Sequence, residues 1–306
     1  MSRSYENKRY FGMALDPIHI GTGGYRLGRV DNTIVRDPAT NLPIIFGSSI
    51  EGTARTYSAY KLVEETGDKK YLNCASKTTD KKKQCGKCEI CITYGYTNDE
   101  LTDIPKSLHG MAQFSDARIL FFPVHTMIGP VWVTSLQILK DIDLGEFSIE
   151  DKDKIKTNWI EKGKKLNLGW LYLENEDGFS IPNGELDKIP KEIKERVVLV
   201  SDKLFSQIVN SSLEVRTSVS INPQTGAAEE GALFTYEAIP RSTIMYFNVV
   251  YNNPEYFKGI PMYDIKQIVE KGLCLFEHLG LGGMQTRGFG RFKVLNLEEG
   301  CNARST

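Results

Sequence analysis

Residues 10–18 are largely apolar and predict a strand, which gives way to a loop punctuated by Gly21, Gly23, Gly24 and Gly28. No helical period runs on to residue 43. A helix is expected from Ser48, because Ser48-Ser49-Ile50-Glu51 has the capping-box pattern: the serine oxygen accepts from an amide three residues on, and the glutamate reaches back. It should continue to about Glu65. Residues 117–124 and 131–135, rich in β-branched and aromatic side chains, predict two strands. Further strands are predicted over 196–200, 214–221, 232–239 and 243–251, and the turn-rich Asn222-Pro223-Gln224-Thr225-Gly226-Ala227-Ala228 suits a protruding hairpin. Ile265, Ile268, Val269, Leu273, Phe276 and Leu279 recur at helical spacing, and a glycine-rich loop over 280–290 leads to a closing strand at 291–297.

Two stretches interrupt this pattern. Residues 66–106 are polar and lysine-rich and read as an insertion on a loop. Between residues 150 and 165, 10 of 16 side chains are charged, which predicts a solvated helix or a mobile connection. Without the insertions the order is strand, helix, strands, more strands, helix, strand. That order fits an α+β sandwich of the ferredoxin-like or RRM-like kind, a four-stranded sheet backed by two helices.

Composition narrows the picture. The 306 residues are 41% apolar, enough for a substantial core in one elaborate domain or two. No apolar stretch follows the N-terminus, and no run approaches the ~18 apolar residues of a membrane span, so a soluble cytoplasmic protein is expected. With 38 Lys+Arg against 39 Asp+Glu the net charge is −1, so any nucleic-acid path must be a local basic patch.

Three constellations have chemical potential. Cys74, Cys85, Cys88 and Cys91 lie within 18 residues and offer four thiolates, as a closed tetrahedral zinc site requires. Such a site would stabilise an insertion with little core of its own. An iron–sulfur cluster, unligated thiols, or a set in which His109 replaces one cysteine are the alternatives. The tail loop Gly280-Leu281-Gly282-Gly283-Met284-Gln285-Thr286-Arg287-Gly288-Phe289-Gly290-Arg291 could bring amides and arginines to phosphates, or be an ordinary flexible turn. Residues 19–55 hold His19, Arg26, Arg29, Asp31, Arg36 and Arg55 around glycines and a helix start, where Ser48 and Ser49 could meet a phosphate. A loop with surface charges is the plainer account.

The order of these pieces resembles the RAMP proteins of type III CRISPR systems: His19-Ile20-Gly21-Thr22-Gly23, Gly28-Arg29-Val30-Asp31-Asn32, Arg36, Leu42-Pro43-Ile44-Ile45-Phe46-Gly47-Ser48-Ser49, Gly52 and Arg55, then Gly282-Gly283-Met284-Gln285-Thr286-Arg287-Gly288-Phe289-Gly290. Within that superfamily, Phe114-Ser115-Asp116-Ala117-Arg118-Ile119-Leu120-Phe121-Phe122-Pro123-Val124, Val131-Trp132-Val133-Thr134-Ser135 and Gly231-Ala232-Leu233-Phe234-Thr235-Tyr236-Glu237-Ala238-Ile239-Pro240 are similar to the repeated backbone subunit of type III-B (Cmr) complexes. The cysteine-rich insertion, over 66–110, is also similar to that of the type III-A (Csm) equivalent. Three positions depart from the family pattern: Phe46 and Glu51 replace its proline and lysine at the helix start, and Thr33 stands where proline is common.

The resemblance implies a single RRM-like palm over 1–306 with a thumb hairpin at 210–235 and a charged insertion at 140–195. It implies copies of the chain stacked with other effector subunits along one CRISPR RNA, each cutting paired target single-stranded RNA beside its thumb. Family positions near the cut fall on Asp31, His19, Tyr236 and Glu237, with Mg2+ or Mn2+ assisting. RNA contacts are expected at Arg26, Arg29, Arg36, Ser48, Ser49, Arg55, Gly282, Gly283, Arg287, Gly288 and Arg291. A purely structural RNA-binding subunit is the alternative.

Overall fold

The computed structural model describes residues 3–23, 30–76, 84–182 and 184–298. Strand β1 (Tyr5–Ala14) begins and ends earlier than its apolar pattern, with an exposed polar first half and Tyr10, Phe11 and Ala14 in the core. After β2 (Ile44–Ile45) comes α1 (Gly47–Thr66), which buries Ile50, Ala54, Tyr57 and Leu62. It stops at Gly67, whose φ of 72° returns its amide to the Val63 carbonyl. The capping box does not form. Phe46 is the N-cap, with no side-chain bond, and Asp116 accepts from the Gly47 amide at 2.7 Å instead.

The cysteine-rich stretch is better ordered than its composition suggests. It contains α2 (Lys70–Ala75), α3 (Glu89–Tyr94), and β3 (Gly95–Thr97) paired with β4 (Ser107–His109). The core strands β5 (Ala112–Phe114), β6 (Ala117–Val124) and β7 (Val131–Ser135) follow, then α4 (Leu136–Asp141).

Residues 150–165 correct the expectation of a solvated helix or a mobile connection: they form no helix and are anchored by buried side chains. Ile155 and Thr157 are wholly buried, held by Asn175, whose side chain bonds the Thr157 amide at 3.0 Å and the Ile160 carbonyl at 2.6 Å. The charges sit on turns that surround these anchors. β8 (Lys165–Leu168) pairs with β9 (Leu171–Glu174), and α5 (Lys191–Lys194) leads to β10 (Val197–Val200). An unanticipated helix, α6 (Asp202–Ser211), is capped by Ser201 and buries Leu204, Phe205, Ile208 and Val209.

A long antiparallel hairpin, β11 (Glu214–Ile221) and β12 (Ala228–Ala238), precedes β13 (Ile244–Asn252). Then α7 (Ile265–Cys274), capped by Asp264, and α8 (Phe276–Leu279) lead to β14 (Phe292–Val294). The main sheet has the order β10-β7-β6-β13-β1-β14. Within it, β6, β13, β1 and β14 are joined by antiparallel pairings, and β1 and β13 stay in register from Tyr5↔Asn252 to Met13↔Ile244. β10 extends the edge in parallel with β7. No described helix is long and apolar enough to cross a membrane.

Helices α1 and α7 cross at Gly272, where Ser58 Oγ also donates to the Ile268 carbonyl at 2.7 Å. A Cβ at Gly272 would lie 2.5 Å from Ser58 Oγ and press on the Ala54 carbonyl. Gly272→Ala should therefore cost about 1–3 kcal/mol by overpacking. Thermal unfolding should show a lower Tm, and an unchanged Tm would mean the crossing can yield.

Candidate functional site

Three stretches far apart in sequence meet at the root of the β11–β12 hairpin. Residues 18–22 pair with 33–35: Val35 N donates to Ile20 O at 2.8 Å and Thr22 N to Thr33 O at 3.3 Å. Ile18 and Ile239 exchange amide bonds of 2.9 Å. Asn32 lies along the open edge of β12, its amide on Thr235 O at 3.0 Å and its carbonyl taking Glu237 N at 2.9 Å. The tail loop closes the group, with Gly283 N on His19 O and Gly290 N on Pro17 O, both at 2.9 Å.

Asp31 is exposed, yet its carboxylate is held. Oδ2 accepts from the Thr235 amide and hydroxyl, each at 2.8 Å, while the Asp31 amide donates to Thr235 Oγ at 2.9 Å. The Thr235 amide and hydroxyl keep its pKa below the ordinary aspartate range, so it is ionised near neutrality. His19 is buried, with Nδ1 2.7 Å from the Glu237 carbonyl and its ring edge-on to Tyr236 at 5.8 Å. A carbonyl only accepts, so Nδ1 carries a proton and donates it there, which fixes the ring's orientation. A Cβ at Gly21 would come within 3.1 Å of Nε2, and a Cβ at Gly282 within 2.8 Å of His19 O. Glycine at both places keeps the ring and the loop together.

Glu237 and Arg36 face inward. Glu237 is 8% exposed; Oε1 pairs with Arg36 at 2.6 Å and Oε2 takes the Ile34 amide at 3.1 Å. The rest of the Arg36 guanidinium serves Asn210 Oδ1 and Ile34 O, both at 3.1 Å. Both side chains are committed to the framework, which leaves Glu237 poorly placed to move protons and Arg36 to grip phosphate. Tyr236 is half-buried and lines a concavity with Asn32, Ser218, Phe234 and Arg287.

The other predicted contacts divide. Arg287, Gly282 and Gly288 are exposed on the tail loop, and Gly283 is half-buried. Arg291 is paired with Asp16 at 2.6 Å. Ser48 and Ser49 do lie in the first turn of α1, but Asp116 already occupies the Gly47 amide there. Arg55 is a correction: it is 1% exposed and bonds Cys74 O at 2.7 Å and Tyr94 O at 3.3 Å, with Glu51 at 3.9 Å. It has no outward face for RNA. Arg26 and Arg29 lie outside the described residues. Sequence reading missed Thr235 and Arg216, whose guanidinium covers the Phe289 ring at 4.9 Å and meets Gly288 O at 3.3 Å. Only a period-two reading of β12, which puts Thr235 and Glu237 on one face, hints at the first of these.

The four cysteine sulfurs lie within 4.8 Å of one another, with Cys74, Cys88 and Cys91 buried. Cys85 and Cys91 Sγ are 4.0 Å apart, near the ~3.8 Å edge that follows from four Zn–S bonds of ~2.3 Å. Cys85 Sγ also receives the Cys88 amide at 3.3 Å and the Lys87 amide at 3.5 Å, contacts that favour a thiolate. The cluster can hold a metal ion. His109 is outside it, exposed and edge-on to Phe257 at 5.7 Å.

A family model described as the RAMP superfamily matches residues 13–293. The chain is 28% identical, over 95% of its length and 96% of the relative's, to "CRISPR system Cmr endoribonuclease Cmr4" of Pyrococcus furiosus. Over 27% of the chain and 29% of the relative it is 38% identical to "CRISPR system Cms endoribonuclease Csm3" of Methanothermobacter thermautotrophicus. A chain in a cryo-EM structure of the "Type III-B Cmr-beta bound to cognate target RNA" shares the fold at a TM-score of 0.66, with 19% identity and 96% and 98% coverage of the two chains. So does oligomeric Cmr4 from Pyrococcus furiosus, at 0.56, with 20% identity and 96% and 100% coverage.

Glu237→Gln keeps size but removes the charge that holds Arg36. It should cost about 1–3 kcal/mol and speed exchange of the Ile34 amide, measurable by thermal unfolding and hydrogen exchange. Unchanged protection at Ile34 would show that the pair does not fasten the hairpin root.

Proposed function

The chain belongs to the RAMP superfamily, and we propose that it is a backbone subunit of a type III CRISPR ribonucleoprotein that cuts target RNA paired to its guide. The palm is β6-β13-β1-β14 with α1 and α7, in the order expected of an RRM-like fold. The thumb is the β11–β12 hairpin. Copies stack with other effector subunits along one CRISPR RNA in the cytoplasm, and each thumb wedges between guide and target, so cuts recur at regular intervals.

One observation carries the enzymatic half: an exposed, ionised carboxylate, Asp31, is fastened to the hairpin root. A nucleotide splayed there can bring its own 2′-hydroxyl in line with phosphorus, leaving a 2′,3′-cyclic phosphate on the 5′ fragment. Asp31 Oδ1 would hold a divalent ion or accept the 2′-proton, with His19 held at the same hairpin root by the Glu237 carbonyl. Bound Mg2+ or Mn2+ would stabilise charge developing on the phosphate oxygens. Arg287 and the amides of the tail loop contact the backbone, while pairing to the guide supplies specificity. Zinc in the Cys74, Cys85, Cys88 and Cys91 cluster would fix the insertion against the body, where Tyr263 already bonds Lys87 O at 3.0 Å.

Asp31→Asn in the reconstituted complex should abolish regularly spaced cleavage of guide-paired RNA while assembly and target binding persist. Retained cleavage would sink the assignment of Asp31, and an uncut target with the unaltered chain in every divalent metal would favour the non-catalytic scaffold. Purified protein should carry about one zinc per chain. Cys88→Ser should lower both the zinc content and the Tm, and iron with a visible absorption band would replace zinc by a cluster.

A further inference from the structure

We infer that Thr235 is the positioning residue that sets the catalytic carboxylate, by latching Asp31 to the thumb strand so that Oδ1 alone faces the RNA. The inference rests on the reading of Asp31 just given.

The latch is reciprocal. Thr235 Oγ accepts from the Asp31 amide at 2.9 Å and donates to Oδ2 at 2.8 Å, while the Thr235 amide donates to the same Oδ2 at 2.8 Å. A single hydroxyl thereby fixes the backbone and the side chain of residue 31. The next residue continues the pairing, Asn32 N to Thr235 O at 3.0 Å. Two donors already occupy Oδ2, so Oδ1 is the oxygen through which the carboxylate would engage a cation or a proton. Thr235 lies on β12 itself, so any movement of the wedge carries Asp31 with it. Cutting geometry and wedge position become one variable. Orientation of this kind contributes to rate rather than to binding, because it matters most where the reacting atoms must align.

Thr235→Val removes the hydroxyl at nearly constant shape, and Thr235→Ser keeps it. In the reconstituted complex with guide and a labelled target RNA, single-turnover cleavage should fall about tenfold or more for Thr235→Val, the loss expected of one hydrogen bond to a charged group. The equilibrium affinity for target should stay within about twofold. Thr235→Ser should restore most of the rate. Cleavage by Thr235→Val at the unaltered rate would overturn the latch, even with Asp31→Asn inactive. Equal losses in Thr235→Val and Thr235→Ser, with target binding falling in step, would overturn it in favour of a purely structural role. Full activity in Asp31→Asn would overturn both this inference and the reading beneath it.

Discussion

A carboxylate and a guanidinium 2.6 Å apart, Glu237 and Arg36, hold the hairpin root to the body. The apolar side chains of the hairpin do not pack it down, since Val215, Val219, Ile221, Leu233 and Phe234 along it are all exposed. A two-stranded ribbon with exposed apolar faces is marginal alone. What fixes it is the root: Arg36 also ties to Asn210 on α6, and the second Glu237 oxygen takes the Ile34 amide. Breaking one partner would leave the other's charge half-buried, which costs more than the pair contributes. Every catalytic proposal made for Asp31 therefore presupposes this pin.

How far the sequence could be read depended on whether the deciding partner was local. Strands over 117–124, 131–135 and 214–221 fall on their predicted residues, because β-branched and aromatic runs report directly on a pleated surface. Helix α1 starts within one residue of its expected position, but its capping differs from the local pattern because Asp116, 69 positions away, takes the Gly47 amide. Residues 150–165 looked solvated because charge density hides single anchors such as Ile155, which packs fully. Helix α6 escaped notice although Ser201 is a favoured cap and its buried positions recur at helical spacing.

The same division runs through the site. Tyr236 and Glu237 stand out only by resemblance, whereas Asp31 and His19 also stand out in their glycine- and arginine-rich segment; the structure has all four at the hairpin root. Arginine identity proved a poor guide to phosphate contact. Arg36 and Arg55 spend their donors on carbonyls and carboxylates of the same chain, and Arg291 is paired with Asp16. A guanidinium has five donors, and where a buried carbonyl or a neighbouring carboxylate of the same chain already takes them, few are left for phosphate. Thr235 had no signal beyond strand alternation, since its importance comes from the backbone of a segment 204 residues away.

The glycines of the tail loop are explained from within the protein before any ligand is invoked. Gly282 has φ 83° and its absent Cβ would strike the Ile20 side chain and the His19 carbonyl; Gly290, at φ 95°, would strike the Leu281 carbonyl. Both residues are needed for the loop to lie against the 17–21 segment at all. That close seating is what exposes Arg287 beside Tyr236 and Asn32. In a chain of net charge −1, with several arginines consumed internally, phosphate contact must depend on where donors are held rather than on how many there are. Repetition along an RNA would then supply the affinity that the charge of one subunit does not, because each copy adds its own few contacts to the same strand.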